Sequence, residues 1–286
     1  MKRLNLALAG LAAFILTACG APQDPAQAKA EPAAKADNPA PAPDAPVLGL
    51  MTSLPLYWPL GADFADLASG DAERPWQRVA IERRYRIEPL DTLSPIAALD
   101  ADQPATDPLA SLERLAVIQP RGLTPSDNVA LDNWVRAGGH LLLVLDPMLT
   151  GEYEAPLGDP RRPIDAALIP PVVKRWGMEI TFNDMQGGDF GELPLNAGYI
   201  WLAQSGVIKR EQTPETSCDL SLGDVIAQCR VGKGRVTLLA DAASFEHTLD
   251  EFENARTKEP PLLNVLDFAF FTGLEGDIPM PESPAQ

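Results

Sequence analysis

Polar residues stand at or near the ends of several short aliphatic runs in this sequence. They are Ser53 in VLGLMTSL, Arg121 after RLAVIQP, Asp146 in HLLLVLDP, Arg161 in the GDPRRP that follows, and Asp241 in RVTLLADA. If these runs are parallel strands, their carboxyl ends lie at one edge of the sheet, where open α/β sheets bind ligands. The five residues therefore predict a polar ligand-binding site at that edge.

The same residues admit two other interpretations. Asp146 followed by proline can simply end a strand, and Asp241 can cap whatever follows it. Together with His247, the two aspartates are also the acid–base groups that a hydrolase would use. No G-x-S-x-G motif or cysteine elbow follows any predicted strand, and His140 lies at the amino end of its strand, so we assign no catalytic residue.

The sequence gives little support for a metal or a cofactor, and we predict neither. Glu246 and His247 could bind a metal together with Asp241, but a stable site needs more ligands. Gly232-Lys233-Gly234 precedes a predicted strand and lacks the Ser or Thr that follows the lysine of a phosphate-binding loop. We interpret these glycines as structural.

One helix is marked at both ends. Thr124-Pro125-Ser126-Asp127 combines an N-cap, a proline at the first helical position and an acid three residues after the cap. Gly138-Gly139 then precedes the next aliphatic run, an order that suits a helix C-cap and is the reverse of a phosphate loop. The pattern predicts a helix over 125–137.

Aliphatic and amphipathic segments alternate along the chain, which is typical of an α/β domain with a mostly parallel sheet. We predict a Rossmann-like open sheet, with a β-rich insertion at about 178–232, where short polar and apolar pieces alternate with turns. The predicted helices are 75–84, 125–137, 164–176 and 260–272, and the predicted strands are 47–54, 85–90, 114–120, 140–147 and 235–242.

The amino terminus carries an export signal. Lys2 and Arg3 precede an apolar run, Leu4–Leu16, that is too short to span a bilayer. The following Leu16-Thr17-Ala18-Cys19 resembles the lipobox of bacterial lipoproteins, which implies cleavage after residue 18 and lipidation of Cys19. The alternative is an ordinary signal peptide with an incidental cysteine. In such lipoproteins an aspartate after the cysteine often marks inner-membrane retention, so Gly20 favours the outer membrane over the inner one.

The composition of the sequence after the signal segment separates it into a linker, a folded domain and a tail. Residues 20–46 hold seven prolines and ten alanines without a large apolar side chain, which predicts a linker, so that 19–46 comprises the lipidated cysteine and a Pro/Ala-rich tether. We expect a folded domain over 47–276 and a disordered tail over 277–286.

The net charge of the chain restricts the kinds of partner that it can bind. The chain carries a net charge of −17, and nucleic acid binding requires clustered cations. We therefore expect no nucleic acid partner, and contact with a membrane only through the lipid anchor.

Cys218 and Cys229 are the two cysteines that remain after Cys19 is assigned to lipidation. An even number in an exported, oxidising setting predicts a disulfide between them. Their spacing is not that of a zinc site, and neither His140 nor His247 lies near them in the sequence.

The order of LAVIQP, capped helix, Gly138-Gly139 and HLLLVLDP, followed later by GKGRVTLLADAASFE, is similar to the periplasmic domain of GldG-like proteins, the gliding-motility-type auxiliary proteins of ABC transporters. Those domains resemble degenerate relatives of the class I glutamine amidotransferase fold. The resemblance covers about 47–272. In the amidotransferases, the strand matching HLLLVLDP leads into a nucleophilic cysteine, whereas this chain has Asp146-Pro147 there. The resemblance thus implies a scaffold without the reactive centre.

These observations favour a non-catalytic, lipid-anchored protein of the cell envelope that binds a ligand or a protein partner, as an accessory of an ABC-type transport system. The GldG-like family commonly carries transmembrane helices, which this chain replaces with the lipid anchor. An envelope hydrolase and a structural assembly module are the alternatives.

Lipidation is tested by replacing Cys19. Cys19→Ala removes the only thiol of the lipobox, so the protein should be released in soluble form or retained as its precursor. Mass spectrometry of the wild-type amino terminus should find acyl chains on Cys19, and an unmodified cysteine would contradict the anchor.

Overall fold

The computed structural model describes residues 42–100, 102–182, 190–195, 198–211, 216–251, 256 and 259–271. The chain separates into two units, Met1–Asn38 and Pro39–Gln286, and every described residue belongs to the second. The predicted signal peptide, Cys19, most of the linker and the 277–286 tail lie outside the described residues.

Seven strands form the main sheet, and five of them are parallel. The two antiparallel strands lie together at one edge. The predicted mixed α/β fold with a mostly parallel sheet is confirmed. In spatial order the strands are Arg86–Pro89 (β2), Val47–Thr52 (β1), Arg114–Ile118 (β3), His140–Val144 (β4), Gly234–Leu239 (β11), Ile226–Val231 (β10) and Thr216–Ser221 (β9).

The central strands explain why their sequences are continuous aliphatic runs. In β3 and β4 every residue after the first is buried. Side chains alternate between the two faces of a strand, so such burial requires that both faces of the sheet be covered. Each face accordingly packs against its own cluster of apolar side chains.

Helices cover both faces. Leu131 and Val135 of α3 and Val172 of α4 pack in one apolar cluster, whereas α2, α5 and α6 contribute to the other. The helices are Phe64–Ser69 (α1), Trp76–Glu82 (α2), Pro125–Ala137 (α3), Pro171–Arg175 (α4), Ala243–Glu246 (α5) and Pro261–Phe270 (α6), and a 3₁₀ turn covers Leu249–Glu251.

Helix α3 has the predicted boundaries. The Thr124 side chain accepts a hydrogen bond from the Asp127 amide, and the Asp127 carboxylate accepts one from the Thr124 amide. Gly138 ends the helix at a φ of 132°, a conformation that favours glycine. These local interactions stabilise both helix ends, which is why the sequence pattern located them correctly.

The helix predicted over 164–176 is wrong in its first half, because only Pro171–Arg175 is helical. Pro170 and Pro171 disfavour the helical conformation of the residues before them. The preceding segment instead runs along the sheet edge, where the Ala167 amide donates to the Asp146 carbonyl at 2.8 Å.

Six strands lie in the region of the predicted insertion. Two pairs form separate antiparallel sheets, Met178–Thr181 (β5) with Val207–Arg210 (β8), and Gly191–Leu195 (β6) with Gly198–Leu202 (β7). The other two, β9 and β10, extend the main sheet. Cys218 of β9 lies directly opposite Cys229 of β10, and the predicted disulfide is confirmed.

No helix in the described ranges is both long enough and apolar enough to cross a membrane.

The disulfide closes the loop between two neighbouring strands. We expect Cys218→Ala/Cys229→Ala to lower the free energy of unfolding by about 3 kcal/mol, because the unfolded chain regains the entropy of the short loop. Urea unfolding measures this loss. A reductant should lower the unfolding midpoint of the wild type but not that of the double variant; a wild type that is insensitive to reductant would contradict the prediction.

Candidate functional site

Gln119 joins three strands at the carboxyl edge of the sheet. Its side-chain oxygen accepts from the Asp146 amide at 2.8 Å, and its side-chain nitrogen donates to the Asp146 and Ile164 carbonyls at 3.0 and 2.9 Å. Its carbonyl accepts hydrogen bonds from the amide and the hydroxyl of Ser53, which follows β1. Gln119 is fully buried and has a φ of 44°, so tertiary contacts hold it in a conformation that is uncommon for glutamine.

Asp146 and Asp241 follow β4 and β11, and both are fully buried. Asp146 accepts hydrogen bonds from the amides of Met148 and Ala242, each at 2.8 Å. Asp241 accepts them from the amides of Ala203 and Ala243 at 2.7 and 2.8 Å. All four carboxylate oxygens therefore bind backbone, and Asp146 links the ends of β4 and β11.

Burial makes both aspartates weak acids. It raises the pKa of Asp146 to about 7, against the lowering effect of its two amide donors, and the negative charge of Glu246 raises it further. Burial and the charge of Asp146 raise the pKa of Asp241 well above its ordinary value. Burial is the largest effect on both pKa values and outweighs the hydrogen bonds, and the neighbouring negative charges act in the same direction as burial.

A cavity of about 830 Å³ lies beyond these buried groups, at the same edge. Its walls come from the segments that follow β1, β4 and β11, with Gln77 of α2. Leu54, Pro55 and Phe245 provide apolar surface, and the polar lining includes Thr150, Tyr153, Arg161, His247 and Glu251. This volume lies within the range of small-molecule sites, about 300–1,000 Å³.

Glu246 fixes the cavity wall formed by the segment after β4. Its carboxylate accepts hydrogen bonds from the amides of Thr150 and Gly151 at 3.2 and 3.0 Å and from the Tyr153 hydroxyl at 2.5 Å. A side chain at Gly151 would place its Cβ 2.6 Å from a Glu246 oxygen, so glycine permits this approach. Arg162 holds the same segment from the other side by donating to the Tyr153 and Ala155 carbonyls.

His247 joins a hydroxyl and a carboxylate on the cavity wall. Its Nε2 lies 3.0 Å from Thr150 Oγ1, and its Nδ1 lies 2.7 Å from a Glu251 oxygen. This hydroxyl, imidazole and carboxylate order is that of a general-base relay. Asp146 and Asp241, the partners that the sequence suggested for His247, make no hydrogen bond to it within the described residues.

The structure separates the five predicted ligand-binding residues. Ser53, Asp146 and Asp241 are buried and bind backbone groups, so they do not line the cavity. Arg121 is exposed and also stands outside the lining. Of the five, all of them described, Arg161 lines the cavity, and it forms an ion pair with Asp159 at 2.8 Å.

Sequence reasoning missed Glu246, Thr150, Tyr153 and Glu251 as wall residues. The one available signal was position, since TGEYEA follows Asp146 and FEHTLDE follows Asp241. Segments after strands at this edge commonly carry binding residues. Among the described residues, no three His, Cys, Asp or Glu side chains are grouped as metal ligands.

The raised pKa values predict that stability depends on pH. The folded protein keeps the Asp146 and Asp241 protons to higher pH than the unfolded chain does, so the stabilisation is complete below about pH 4 and is lost as the pH rises through about 7. Each pKa unit corresponds to about 1.4 kcal/mol, so the melting temperature should fall measurably between pH 5 and 8.

Asp146→Asn isolates this effect. The variant should melt lower at acidic pH, because its amide nitrogen cannot accept from a backbone amide, but its melting temperature should change less between pH 5 and 8. His140, whose lowered pKa acts in the opposite direction, is common to both proteins. Asp102→Asn, at an exposed position, is the control, and equal pH slopes in wild type and Asp146→Asn would contradict the prediction.

No protein-family model and no curated protein matches this chain. Similar solved structures include an exo-β-1,4-mannosidase from Opitutaceae bacterium strain TAV5 (TM-score 0.36, 16% identity, 71% of this chain and 32% of that one) and a β-galactosidase from Bacillus circulans sp. alkalophilus (0.39, 11%, 78% and 31%). A putative ThuA-like protein from Bacteroides uniformis ATCC 8492 has a TM-score of 0.35 and 12% identity, and the match covers 81% of this chain and 94% of that one. This chain matches about a third of the length of the two glycosidases. Likenesses at this level do not assign an activity.

Proposed function

We propose that this protein is a lipid-anchored cell-envelope protein whose α/β domain binds a small polar molecule in the cavity at the carboxyl edge, without transforming it. The observation that carries the proposal is the cavity itself, which has a volume suited to a small molecule and a wall fixed by Glu246 and Arg162. A wall held before the ligand arrives lowers the entropic cost of binding.

The charges on the wall define the ligand class. Glu152, Glu154, Glu246 and Glu251 line the cavity, and Arg161 is the fixed positive charge of the described lining. Excess negative charge disfavours anions. We therefore propose a neutral or cationic molecule whose polar groups bind Thr150, His247 or the glutamates, and whose apolar part contacts Phe245.

The positions of the acids support binding over catalysis. Asp146, whose pKa of about 7 would suit a general acid or base, is buried away from the cavity wall. The amides of Thr150 and Gly151 could serve as oxyanion donors, but both already bind the Glu246 carboxylate. A negative charge at that position would destabilise a developing oxyanion.

The alternative is an envelope hydrolase. It is favoured by the hydrogen bonds from Thr150 through His247 to Glu251, which would orient the imidazole to accept the Thr150 proton. Glu246 would have to release the two amides before they could stabilise an oxyanion.

Export, anchoring and an accessory role beside an ABC-type transporter are parts of the same proposal. They are supported by the lipobox-like Leu16-Thr17-Ala18-Cys19 and by the resemblance to GldG-like proteins. We further propose that the sheet is a degenerate Rossmann-like fold of the amidotransferase type. The parallel strand order β2-β1-β3-β4-β11 supports this, because it matches a doubly wound sheet with a switch point between β1 and β3.

Ligand binding is tested by a thermal-shift screen of neutral and cationic sugars, amino acids and polyamines against the full chain. Leu60→Trp fills part of the cavity wall, and Leu157→Trp makes the same exchange at a position that is 83% exposed and outside the lining. A ligand at about 100 times its Kd should stabilise the wild type and Leu157→Trp by about 2.7 kcal/mol, but Leu60→Trp much less.

The outcomes separate the two functions. Compounds that stabilise Leu60→Trp as strongly as the wild type would exclude this cavity, and a panel without any stabilising compound would contradict the proposed ligand class. If a bound compound is consumed by the wild type and by Thr150→Ser, but not by Thr150→Ala, the protein is a hydrolase. Recovery of the compound unchanged supports binding alone.

A further inference from the structure

Four exposed basic residues lie at the amino edge of the main sheet, opposite the cavity. Arg83 follows α2, and Arg86 begins β2. Arg230 lies near the end of β10, and Lys233 lies in the turn that leads from β10 into β11. Among the described residues, none of the four takes part in an ion pair. They are exposed positive charges in a chain whose net charge is −17.

The acids near this edge leave a local excess of positive charge. Described acids of this region include Asp44, Glu88, Glu113 and Asp267. Glu113 pairs with Arg114 at 3.1 Å, and Asp267 pairs with Arg84, so these two acids neutralise bases outside the set of four. Asp44 and Glu88 are exposed, and Glu88 lies two residues further along β2 than Arg86. The four bases therefore outnumber the two acids that remain to offset them.

The four charges are spread along the edge and do not form one small cluster. β2 and β10 are five strand spacings apart, which is about 24 Å. Ile87 packs in the apolar cluster that contains α6, whereas Cys229 packs in the other cluster. Because neighbouring side chains point to opposite faces, Arg86 and Arg230 lie on different faces of the sheet. A partner that touches both must lie across the edge, which suits an extended surface and excludes a single small anion.

An exposed aromatic ring accompanies the bases. Phe271 follows α6, is 51% exposed and stacks on Tyr85 with their ring centroids 6.2 Å apart. Tyr85 directly precedes Arg86, so this ring also lies at the amino edge. Segments that bind at membrane surfaces combine Lys and Arg with Trp, Phe or Leu. The edge therefore carries both kinds of side chain that a headgroup layer accommodates.

The chain enters the sheet at the same edge. Val47 begins β1, and the carbonyl of Pro46 accepts a hydrogen bond from the Arg86 amide at 3.0 Å. The predicted linker, residues 20–46, therefore ends beside the basic residues. A flexible linker of this length spans about 30 Å. An anchor at Cys19 would keep this edge within reach of the bilayer.

We propose that the amino edge, with Arg83, Arg86, Arg230, Lys233 and Phe271, lies against the anionic phospholipid headgroups of the membrane that holds the anchor. The inference rests on the proposed anchor and adds a second membrane contact to it. Headgroup phosphates form an extended negative surface, and each basic side chain held there is favoured about fivefold. The acids beyond the carboxyl ends of the strands are about 16 Å away, which exceeds the Debye length of about 8 Å, so their repulsion is largely screened.

Acetylation of the chain's own lysines tests this contact in the full lipidated protein. The protein is bound to vesicles of phosphatidylcholine, either alone or mixed with phosphatidylglycerol, and acetylation rates are measured by mass spectrometry. Lys233 should react several-fold more slowly on the anionic vesicles, and high salt should remove this protection because it screens the attraction. Lys174 of α4 and Lys209 of β8 are also exposed, and as internal controls they should react equally on both vesicles.

Two variants separate the position of the charges from the net charge. Arg86→Gln/Arg230→Gln removes two bases of the amino edge. Arg121→Gln/Lys209→Gln removes two exposed bases from other places, after β3 at the carboxyl edge and in β8. At about fivefold for each base, the first variant should lose most of the protection of Lys233, whereas the second should keep it.

Three results would overturn the proposal. The first is a vesicle-bound wild type in which Lys233 reacts equally on neutral and anionic vesicles, which would leave the anchor itself intact. The second is an equal loss of protection in the two variants, which would show an effect of net charge alone. The third is protection of Lys233 by soluble poly-glutamate but not by anionic vesicles, which would assign the edge to an acidic protein. A wild type that floats with neither kind of vesicle would refute the anchor, and this inference with it.

Discussion

Parallel strands that stop inside a protein leave backbone amides and carbonyls that need buried partners. Polar side chains supply them at the carboxyl ends of β1, β3, β4 and β11. Gln119 binds the ends of β1 and β4, while Asp146 and Asp241 together accept four backbone amides. Ser244 binds both the amide and the carbonyl of Trp201 in β7. The edge, and the loops that continue from it, depend on these hydrogen bonds.

Because these polar side chains occupy the strand ends, the cavity lies further out, among the loops that follow the strands. Glu246 repeats the arrangement of the aspartates, since its carboxylate also accepts two backbone amides, and its negative charge raises the pKa of both Asp146 and Asp241. Asp127 shows the contrasting case. Burial would raise its pKa, but hydrogen bonds from Thr124, Thr92 and Leu93 outweigh burial and lower the pKa to about 2, and no neighbouring acid is among the main causes of this shift. Repulsion between neighbouring carboxylates therefore raises pKa values at the carboxyl edge, where Asp146, Asp241 and Glu246 lie close together.

The elements were largely predictable, because local patterns determine them. Strands occur within all five predicted segments, and the capped helix α3 has its predicted bounds. The 164–170 error came from Pro170 and Pro171, a local signal that was present. For the site, the sequence predicted only its location at the carboxyl edge of the sheet. The bond from the Met148 amide to Asp146 is local, but nothing near Asp146 in the sequence shows that its other oxygen binds the amide of Ala242, 96 residues away.

The two edges of the sheet carry opposite charge, with carboxylates beyond β4 and β11 and the row of Arg114, His140 and Arg235 at their starts. A five-residue strand such as β4 spans about 16 Å, which exceeds the Debye length of about 8 Å at physiological salt. Exposed charges at one edge are therefore largely screened from the other. Any coupling between the amino edge and a ligand in the cavity would have to pass through the packing of β3, β4 and β11, which are close-packed on both faces and resist deformation.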